Sequence, residues 1–551
     1  MVKCAYRGER IREIEEKWVD ENERDEEEKI RRKELLKNAP VDAGCVFDAI
    51  EGREFCIFHD PNYWKENPEE VRRQFLKYLV ESDEKIFGGF HLPSVSFPRI
   101  IKKEIHMEFT KFHGLLDGND RTFESFVDFT GAEFEEASFS RTKFKGEARF
   151  DIATFKGEAW FIGTEFEEDA SFVETDFRKD ARFIKAKFKK LASFFGTKFK
   201  GDVGFNGTAF RQLTLFNNTE FEGQANFYGA GFKGVNFDEA IFRGKTRFNI
   251  VTFGGKTSFI GTEFKEASFH GAIFLSDCVF RDLRFSYLDL TDMIRLRNVT
   301  FMRQKRVVFD NVDMTRISLI NTPLDRVRFR NIDWSKGVYD GKLLLLKNSD
   351  KERESFVKEE LGKMKKEKTR NKCYEEEMKR QLTSSLIGDT DLTLDNVLGV
   401  YRSLRDNHDY YLKYEESGRF FVNEMKLRRK LLGKEEIKGS REEKARKRVS
   451  YSVEKLAMWS YELLALYGES YVRPILWTVV LILMFSFIRP LMLQNFSLDF
   501  ILKEMRISLL AFFQLHWDLK TLTVIERLLS IPVLGTLVIA LRRKLERRIR
   551  H

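Results

Sequence analysis

A phenylalanine recurs every five or six residues through the middle of the chain, from about residue 129 to 334. A small or apolar residue stands two positions before each ring, as Ala148 does before Phe150, and polar residues fill the remaining positions. The intervals alternate between five and six residues over much of this stretch, which gives a repeat of eleven. The first members are Phe129, Phe134, Phe139, Phe144, Phe150, Phe155, Phe161, Phe166, Phe172 and Phe177, and the series runs on to Phe285.

The spacing discriminates between helix and strand. An eleven-residue repeat occurs in right-handed coiled coils, but at about 100° per residue successive rings five residues apart would diverge by about 140° and form no stripe. In a strand, by contrast, residues i and i−2 share a face. The pattern therefore predicts very short strands with both apolar residues inward, separated by polar corners.

These paired positions resemble the pentapeptide-repeat family. Matching pairs include Ala170/Phe172, Ala225/Phe227 and Thr262/Phe264, and a strict five-residue spacing returns from Phe309 to Trp334. The resemblance implies a mainly β fold, a right-handed, four-sided β-helix in which each unit forms one side and the rings fill the axis. About ten coils are expected, stacked at about 4.8 Å. The extra residue of every second unit is expected to bulge one type of corner.

The N-terminal 65 residues suggest a charged helix over residues 8–38 and a candidate metal site. Cys4, Cys45, Cys56 and His59 form a Cys₃His set, although only Cys56 and His59 stand at the short spacing typical of zinc ligands. Residues 45–59 resemble small zinc-binding headpieces that precede some pentapeptide arrays, which implies structural zinc. The alternative is a group of buried free thiols with a hydrogen-bonded histidine.

Helical segments are expected on both sides of the array, which is assigned to residues 129–340. Residues 66–128 are predicted to be an N-terminal cap that begins with a helix from Pro68 to Leu79. Residues 341–460 are predicted to be a charged helical linker followed by a helical pair, with a break at Glu416–Gly418. This pair resembles linkers that join pentapeptide arrays to membrane segments in some prokaryotic proteins.

Composition excludes several classes of function. The net charge is +9 over 551 residues, and the array balances its acidic and basic residues, so neither a DNA mimic nor a nucleic-acid-binding face is expected. The five cysteines do not suggest a disulfide framework, and the first residues lack a secretory signal. No phosphate loop or hydrolase motif is present. The chain is therefore expected not to be an enzyme.

The C-terminal residues 461–551 contain two apolar runs, 474–488 and 528–541. Each is shorter than the 18 residues usual for a spanning helix, so a buried core helix is the alternative. Terminal arginines, a border of Trp and Tyr, and basic clusters outside both runs favour two membrane spans. The positive-inside rule then places both termini in the cytoplasm and the protein in the inner membrane.

A short helix is expected between the two runs, which gives the order of a two-helix potassium-channel pore, and the second run resembles the inner helix of channel-like modules. The glycine-containing selectivity filter that the resemblance requires is missing, because no glycine occurs between Leu491 and Leu534. A degenerate anchor, which could form homo-oligomers through its helices, is therefore favoured over selective conduction.

The sequence thus predicts a non-catalytic, membrane-anchored interaction platform whose partners are the lipid bilayer and an unidentified protein. The alternatives are a degenerate channel-like pore, with the array as an assembly or gating domain, and a soluble array with a helical cap.

Overall fold

The computed structural model describes most of the chain in two compact units. Unit 1 comprises residues 1–323 and 327–333, and unit 2 comprises residues 324–326 and 334–551. The predicted helix over residues 8–38 and most of the charged linker helix before residue 386 lie outside the described residues. Those described are residues 3–5, 45, 47–82, 87–285, 293–335, 337–348, 352–354, 386, 389–432, 441–494, 496–515 and 521–549.

Unit 1 is a parallel β-solenoid of about 11 turns, which confirms the predicted fold class. Two helices precede its described strands, α1 (Tyr63–Glu66) and α2 (Pro68–Glu81). The strands are β1 His91–Leu92, β2 Val95–Ser96, β3 Ile100–Ile101, β4 Ile105–His106, β5 Lys111–Asp117, β6 Thr122–Phe123, β7 Val127–Asp128, β8 Glu133–Ser138, β9 Lys143–Phe144, β10 Ala148–Arg149, β11 Thr154–Phe155, β12 Ala159–Trp160, β13 Glu165–Phe166, β14 Ala170–Ser171, β15 Asp176–Phe177, β16 Ala181–Arg182, β17 Lys187–Phe188, β18 Ala192–Ser193, β19 Lys198–Phe199, β20 Val203–Gly204, β21 Ala209–Leu215, β22 Glu220–Phe221, β23 Ala225–Asn226, β24 Gly231–Asn236, β25 Ile241–Arg247, β26 Thr252–Phe253, β27 Thr257–Ile260, β28 Glu263–Ser268, β29 Ile273–Phe274, β30 Cys278–Arg281, β31 Arg284–Phe285, β32 Ile294–Arg295, β33 Thr300–Phe301, β34 Val307–Asp310, β35 Ile317–Ser318 and β36 Arg328–Arg330.

Each strand pairs in parallel with the strand one turn further along the chain. Phe155 is paired with Phe177 and Phe221 with Phe242, so that one turn takes 22 or 21 residues and contains four strand positions. The side chains of Phe155 and Phe177 are both buried and their rings stack with centroids 4.7 Å apart. The array is therefore four-sided, as the resemblance to pentapeptide repeats implies.

The core is made of four columns of stacked rings. Within a column the rings are parallel, as for Phe150 and Phe172 with centroids 4.9 Å apart and planes inclined by 2°. Between columns they meet edge to face, as for Phe161 and Phe172 at 5.5 Å and 89°. Both arrangements are favourable for aromatic quadrupoles, so stacked and edge contacts together fill the axis.

The small position before a ring contributes hydrogen bonds as well as space. Buried threonines there donate to a main-chain carbonyl of the preceding turn: Thr164 Oγ1 lies 2.7 Å from the oxygen of Phe139, and Thr197 Oγ1 lies 2.6 Å from that of Phe172. A buried hydroxyl is costly unless it finds such a partner. Most buried threonines at these positions find such an acceptor in the stack, whereas Thr214 and Thr246 are buried without one.

Two kinds of corner alternate, as the eleven-residue unit predicts. In one kind the second residue after the ring has a left-handed backbone, for example Ile152 with φ 56° and Gly163 with φ 68°. The other kind holds the extra residue. Where a six-residue interval stacks on a five-residue one, the strand register shifts, as between Phe210 and Leu213 of β21. A register shift of the predicted kind is therefore seen where the two intervals meet, and pairs of turns such as those at β11 and β15 stay in register.

The solenoid begins before residue 129, which corrects the assignment of residues 66–128 as a cap. Strands β1 to β7 already pair in register with the following turns, starting with His91 on Lys111. Three of their ring positions hold Leu92, Ile101 and Met107 in place of phenylalanine. The phenylalanine period therefore misses them although they fill the same axis. Before the coils, α2 buries Val71, Phe75 and Leu79 and serves as a helical cap.

Unit 2 is helical where the structure describes it. Its helices are α3 (Tyr339–Lys347), α4 (Leu394–Tyr410), α5 (Tyr414–Leu431), α6 (Arg441–Ala465), α7 (Val472–Leu493), α8 (Leu498–Phe512) and α9 (Thr521–Ile549). The predicted helical pair is confirmed in α4 and α5. The predicted break at Glu416–Gly418 is wrong, because these residues lie inside α5 and the chain turns instead at Leu412, whose φ is 59°.

Two helices of unit 2 are long and apolar enough to cross a membrane. They are α7, with a mean hydropathy of 2.1, and residues Thr521–Glu546 of α9, with a mean hydropathy of 2.0. The helix α8 lies between them in sequence and packs against both. The two apolar runs are therefore parts of longer helices than the uncharged cores suggest.

Replacing one axial ring should loosen the solenoid locally. For Phe194→Ala we expect a loss of about 3–5 kcal/mol, because a fully buried ring is removed from a packed column. Each turn contacts chiefly its neighbours. Hydrogen exchange of the full-length chain should therefore accelerate by about 100-fold or more around residues 172–216. The exposed Glu222→Ala should change nothing measurable, and equal effects of the two substitutions would contradict a ring-stacked axis.

Candidate metal centre

Residues 3–5 are joined by main-chain hydrogen bonds to residues 45–59, which are called the headpiece below. Lys3 forms an antiparallel bridge with Asp48, the amide of Cys4 donates to the oxygen of Phe47 at 3.2 Å, and the amide of Ala5 donates to that of Glu54 at 2.9 Å. These bonds hold Cys4 against residues 45–56, although about forty residues separate the two segments in sequence.

A tight turn positions the second half of the cluster. The amides of His59 and Asp60 both donate to the oxygen of Cys56, at 3.1 and 3.0 Å. The turn folds the imidazole of His59 back over the sulfur of Cys56, so that Sγ and Nδ1 lie 3.3 Å apart. A spacing of Cys-x₂-His produces such a knuckle because three residues close one turn.

The structure brings the four predicted residues together in one cluster. Their ligand atoms all lie within 4.8 Å of one another. The Sγ atoms of Cys45 and Cys56 are 3.7 Å apart, and Sγ of Cys4 is 3.7 Å from Nδ1 of His59. Cys4, Cys56 and His59 are buried, and Cys45 is half-buried. Such a cluster could bind a metal ion through three sulfurs and one nitrogen.

Hydrogen bonds orient the donor atoms toward the centre of the cluster. The Nε2 atom of His59 lies 3.0 Å from the oxygen of Gly88, so it carries the proton and leaves Nδ1 facing the sulfurs. Main-chain amides point at two of the sulfurs, from Cys56 to Cys4 at 3.2 Å and from Phe47 to Cys45 at 3.4 Å. Amides directed at sulfur favour the thiolate, which is the form that ligates metals.

The electrostatics of the cluster also favour a thiolate. The hydrogen bond from Cys45 lowers the pKa of Cys56 to about 4, with help from His59, and the same contact raises the pKa of Cys45. Burial lowers the pKa of His59, but its contacts with Cys4 and Cys56 outweigh burial and raise that pKa to about 9. Without a metal ion the cluster therefore favours one thiolate, at Cys56, beside a protonated His59, and a bound cation would take the place of the proton on Nδ1.

Several supporting residues have no sequence signal. Gly88 supplies the carbonyl that fixes the His59 tautomer, and Asp60 accepts from the amides of Asn62 and Tyr63, both at 2.9 Å, where α1 begins. Arg53 pairs with Asp60 at 3.1 Å. Only the amide of Asn62, two residues after the acceptor, could have been anticipated as an Asx turn.

The headpiece is joined to the first turn of the solenoid. The ring of Phe58 stacks on that of Phe90 with centroids 4.5 Å apart and planes inclined by 1°, and the amide of His91 donates to the oxygen of Phe58 at 2.7 Å. These contacts continue the ring stacking of the core past its first strand. The candidate metal centre therefore lies where the solenoid would otherwise expose its first rings.

A stack of three rings lies beside this junction. The indole of Trp64 stacks on His113 with centroids 4.0 Å apart, and Nδ1 of His91 lies 2.9 Å from Nε2 of His113. Burial lowers the pKa of His91 to about 3 and that of His113 to about 4. Both imidazoles are therefore neutral in the folded protein at neutral pH, one donating to the other.

Comparison with known proteins identifies the middle of the solenoid. The family model described as pentapeptide repeats (9 copies) matches residues 153–197, 194–241 and 237–284. These residues are pentapeptide repeats. The match ends short of the array's limits at both ends. No curated protein and no solved structure matches the chain significantly, and nothing in the comparisons supports the resemblance of the C-terminal helices to a potassium channel.

Purified full-length protein should carry one bound metal ion per chain, which elemental analysis measures directly. Replacing one ligand, in Cys45→Ser or His59→Gln, should reduce the metal content to near zero after dialysis against a mild chelator, because a three-ligand site binds far more weakly. The control is Cys278→Ala, which removes a buried thiol from the solenoid core. Equal metal content in all variants would contradict the site.

The histidine stack should make the N-terminal end of the solenoid sensitive to acid. Below about pH 6.5, His91 and His113 become protonated in the unfolded chain but stay neutral in the folded protein. Their contribution to stability is thus present above that pH and is lost as the pH falls toward 4. Hydrogen exchange of residues 87–123 should accelerate over this range, and less so in a His91→Gln/His113→Gln variant. The exposed His270→Gln should retain the full pH dependence; an unchanged dependence in the double variant would exclude the stack as its cause.

Proposed function

We propose that this protein is a membrane-anchored scaffold that presents a pentapeptide-repeat solenoid in the cytoplasm as a surface for binding another protein. The observation that carries the proposal is the exposure of its two apolar helices. Only 18% of the most apolar stretch of α7 is buried, and only 28% of that of α9. A core helix of a soluble protein would be mostly buried. These helices need an apolar solvent.

Exposed apolar side chains follow one another along α7 and along α9. Along α7, Leu476 is 58% exposed and Val480 is 49% exposed, and along α9 Leu528 is 62% exposed. The few buried polar groups of this module instead face inward, where Ser508 of α8 donates to Glu526 of α9 and to the oxygen of Ile482. Apolar residues outside and polar residues inside are the arrangement expected of helices surrounded by lipid.

The two candidate spans support a hairpin with both ends on one side. Arg543, near the end of α9, donates to the oxygen of Tyr467 at 2.9 Å and pairs with Glu469 at 3.2 Å, just before α7 begins. The start of one span and the end of the other are therefore at one level. Basic residues concentrate there, which by the positive-inside rule favours the cytoplasmic side.

The helix α6 supports membrane contact independently. Val449, Val453, Leu456 and Leu463 recur at helical spacing and are all exposed, whereas Met458 on the opposite side is buried against Val422 and Tyr467. Basic residues, among them Arg446, Lys447 and Arg448, precede this apolar stripe. An amphipathic helix of this kind suits the membrane surface, and α6 runs directly toward the first span.

The surface of the solenoid is better suited to binding a protein than to catalysing a reaction. Its charges compensate one another from turn to turn: Glu165 lies between Lys143 and Lys187, at 3.6 and 3.0 Å, and Glu167 pairs with Lys189 at 2.9 Å. A shallow polar cavity on it, around Gly204, has a volume of about 190 Å³, which is below the usual range for a small-molecule site. A rigid, polar and nearly flat face favours a protein partner.

The metal of the N-terminal cluster is proposed to be zinc in a structural role. In a tetrahedral zinc site, sulfur ligands at about 2.3 Å from the ion lie about 3.8 Å apart, close to the 3.7 Å between Cys45 and Cys56. A Cys₃His set leaves no open position for substrate. The ion would fasten the headpiece over the first turn, because a solenoid must close its ends.

Membrane insertion can be tested with charge placed on the exposed helix. Wild-type protein should remain in the membrane fraction after alkaline carbonate extraction and leave it only with detergent. The variant Val480→Arg/Leu483→Arg should be released, because each arginine near the centre of a span costs about 2.5–3.5 kcal/mol. The matched control is Leu213→Arg/Met302→Arg, which adds the same charges at exposed apolar positions of the solenoid. Release of the wild-type protein without detergent would refute the proposal.

The interaction role calls for crosslinking in native membranes. Photoreactive residues at exposed solenoid positions, such as Tyr228 and Ile250, should yield a discrete crosslinked protein. The same residue at Leu476 should yield lipid adducts. Failure to capture any protein from all four faces of the solenoid would contradict the platform.

A further inference from the structure

A cavity of about 950 Å³ lies in unit 2 between α5, the segment before α7, and the end of α9. Its wall includes Arg419 and Val422 of α5, Arg473 at the start of α7, and Arg543 and Lys544 of α9. The volume is at the upper end of the range for ligand sites. The cavity is distinct from the metal centre, which belongs to unit 1.

The cavity is located at the ends of both candidate spans. Arg473 is the second residue of α7, and Arg543 and Lys544 close the apolar stretch of α9 that ends at Glu546. If α7 and α9 cross the bilayer, the cavity lies at the level of the lipid headgroups on the cytoplasmic side. The adjoining surface of α7, with Leu476 and Val480 exposed, continues from it toward the acyl chains.

The charges of the cavity are not balanced. Five basic residues line it against two acidic ones, Glu415 and Glu469. Both acids are engaged, Glu415 with Arg419 at 2.7 Å and Glu469 with Arg543 at 3.2 Å. The site therefore has an excess of positive charge that its own carboxylates do not neutralise.

Two of the basic residues have no carboxylate partner among the described residues. Arg473 donates from Nη1 to the main-chain oxygen of Glu462 at 3.0 Å, and Nζ of Lys544 lies 4.3 Å from the ring centroid of Tyr471. Both contacts fix the direction of the side chain and leave its charge uncompensated. Two such cations in the wall of one cavity are suited to a phosphate, which offers several acceptor oxygens.

The rest of the wall is apolar, with Trp334, Val422, Leu466 and Ala540. A cavity that combines uncompensated cations, apolar side chains and a route to the hydrocarbon is complementary to an amphiphile. A free phosphate would use the cations alone and leave the apolar wall without a counterpart. The chemistry therefore favours a lipid over a soluble anion.

We propose that this cavity binds the phosphate headgroup of an anionic phospholipid. The inference rests on the proposed membrane anchoring of α7 and α9. The lipid would neutralise Arg473 and Lys544 and fill the space between α5 and the two spans. Binding would thus couple the helical linker to the composition of the membrane.

The test is native mass spectrometry of the detergent-solubilised full-length protein with phosphatidylglycerol, phosphatidylcholine or inorganic phosphate. Wild-type protein should retain phosphatidylglycerol in preference to phosphatidylcholine. Arg473→Gln/Lys544→Gln should weaken phosphatidylglycerol binding by about 25-fold, because each basic residue near a lipid surface contributes about fivefold. The charge-conserving Arg473→Lys/Lys544→Arg should retain most of the binding, which shows that the site still folds.

The matched control is Arg446→Gln/Arg542→Gln, which removes two exposed charges outside the cavity wall. An equal loss in this control would show that general surface charge attracts the lipid and would overturn the proposal. Binding of inorganic phosphate as tight as that of the lipid would also overturn it. Carbonate extraction of the same variants separates the two proposals: protein that stays in the membrane without preferring phosphatidylglycerol refutes only the lipid site.

Discussion

The stacking of aromatic rings along one axis is the interaction on which the rest of unit 1 depends. Parallel rings about 5 Å apart match the spacing of hydrogen-bonded strands, so the side chains and the main chain share one repeat distance. Each turn can then bury its rings only against the turns above and below it. This explains why the strands are two residues long in most turns and why corners of two kinds can alternate without disturbing the core.

A stack of this kind would expose the rings of its first turn to solvent. Residues N-terminal to the first strand cover them. The helix α2 buries Phe75 against Phe87, and Phe58 stacks on Phe90 above the first strand. The cluster of Cys4, Cys45, Cys56 and His59 lies in the same region and could bind a metal ion. Under the structural role proposed above, such an ion would supply stability that a segment this small gains little of from its own core.

Unit 2 combines two kinds of helix. The pair α4 and α5 buries apolar residues such as Leu404 and Phe420, whereas α7 and α9 leave apolar residues such as Leu476 and Leu528 exposed. The proposed membrane anchoring rests on this second kind. What a membrane surface adds is the rim of basic and aromatic residues at the start of α7 and the end of α9, where the lipid-binding cavity is proposed.

The sequence by itself determined the solenoid and the two apolar helices, because both depend on the local spacing of residues. A ring and a small side chain two residues before it can face one axis only in a strand. A long uncharged run can form only a buried or lipid-facing helix. It did not show that the coils start at His91, since aliphatic residues there fill the axis without the phenylalanine signal, nor that α5 continues through Gly418. The joining of Cys4 to Cys45, Cys56 and His59 and the outward exposure of α7 and α9 were decided by the tertiary structure alone. Distance across forty residues and the solvent that a helix face meets depend on how separate segments pack, and no local pattern carries that information.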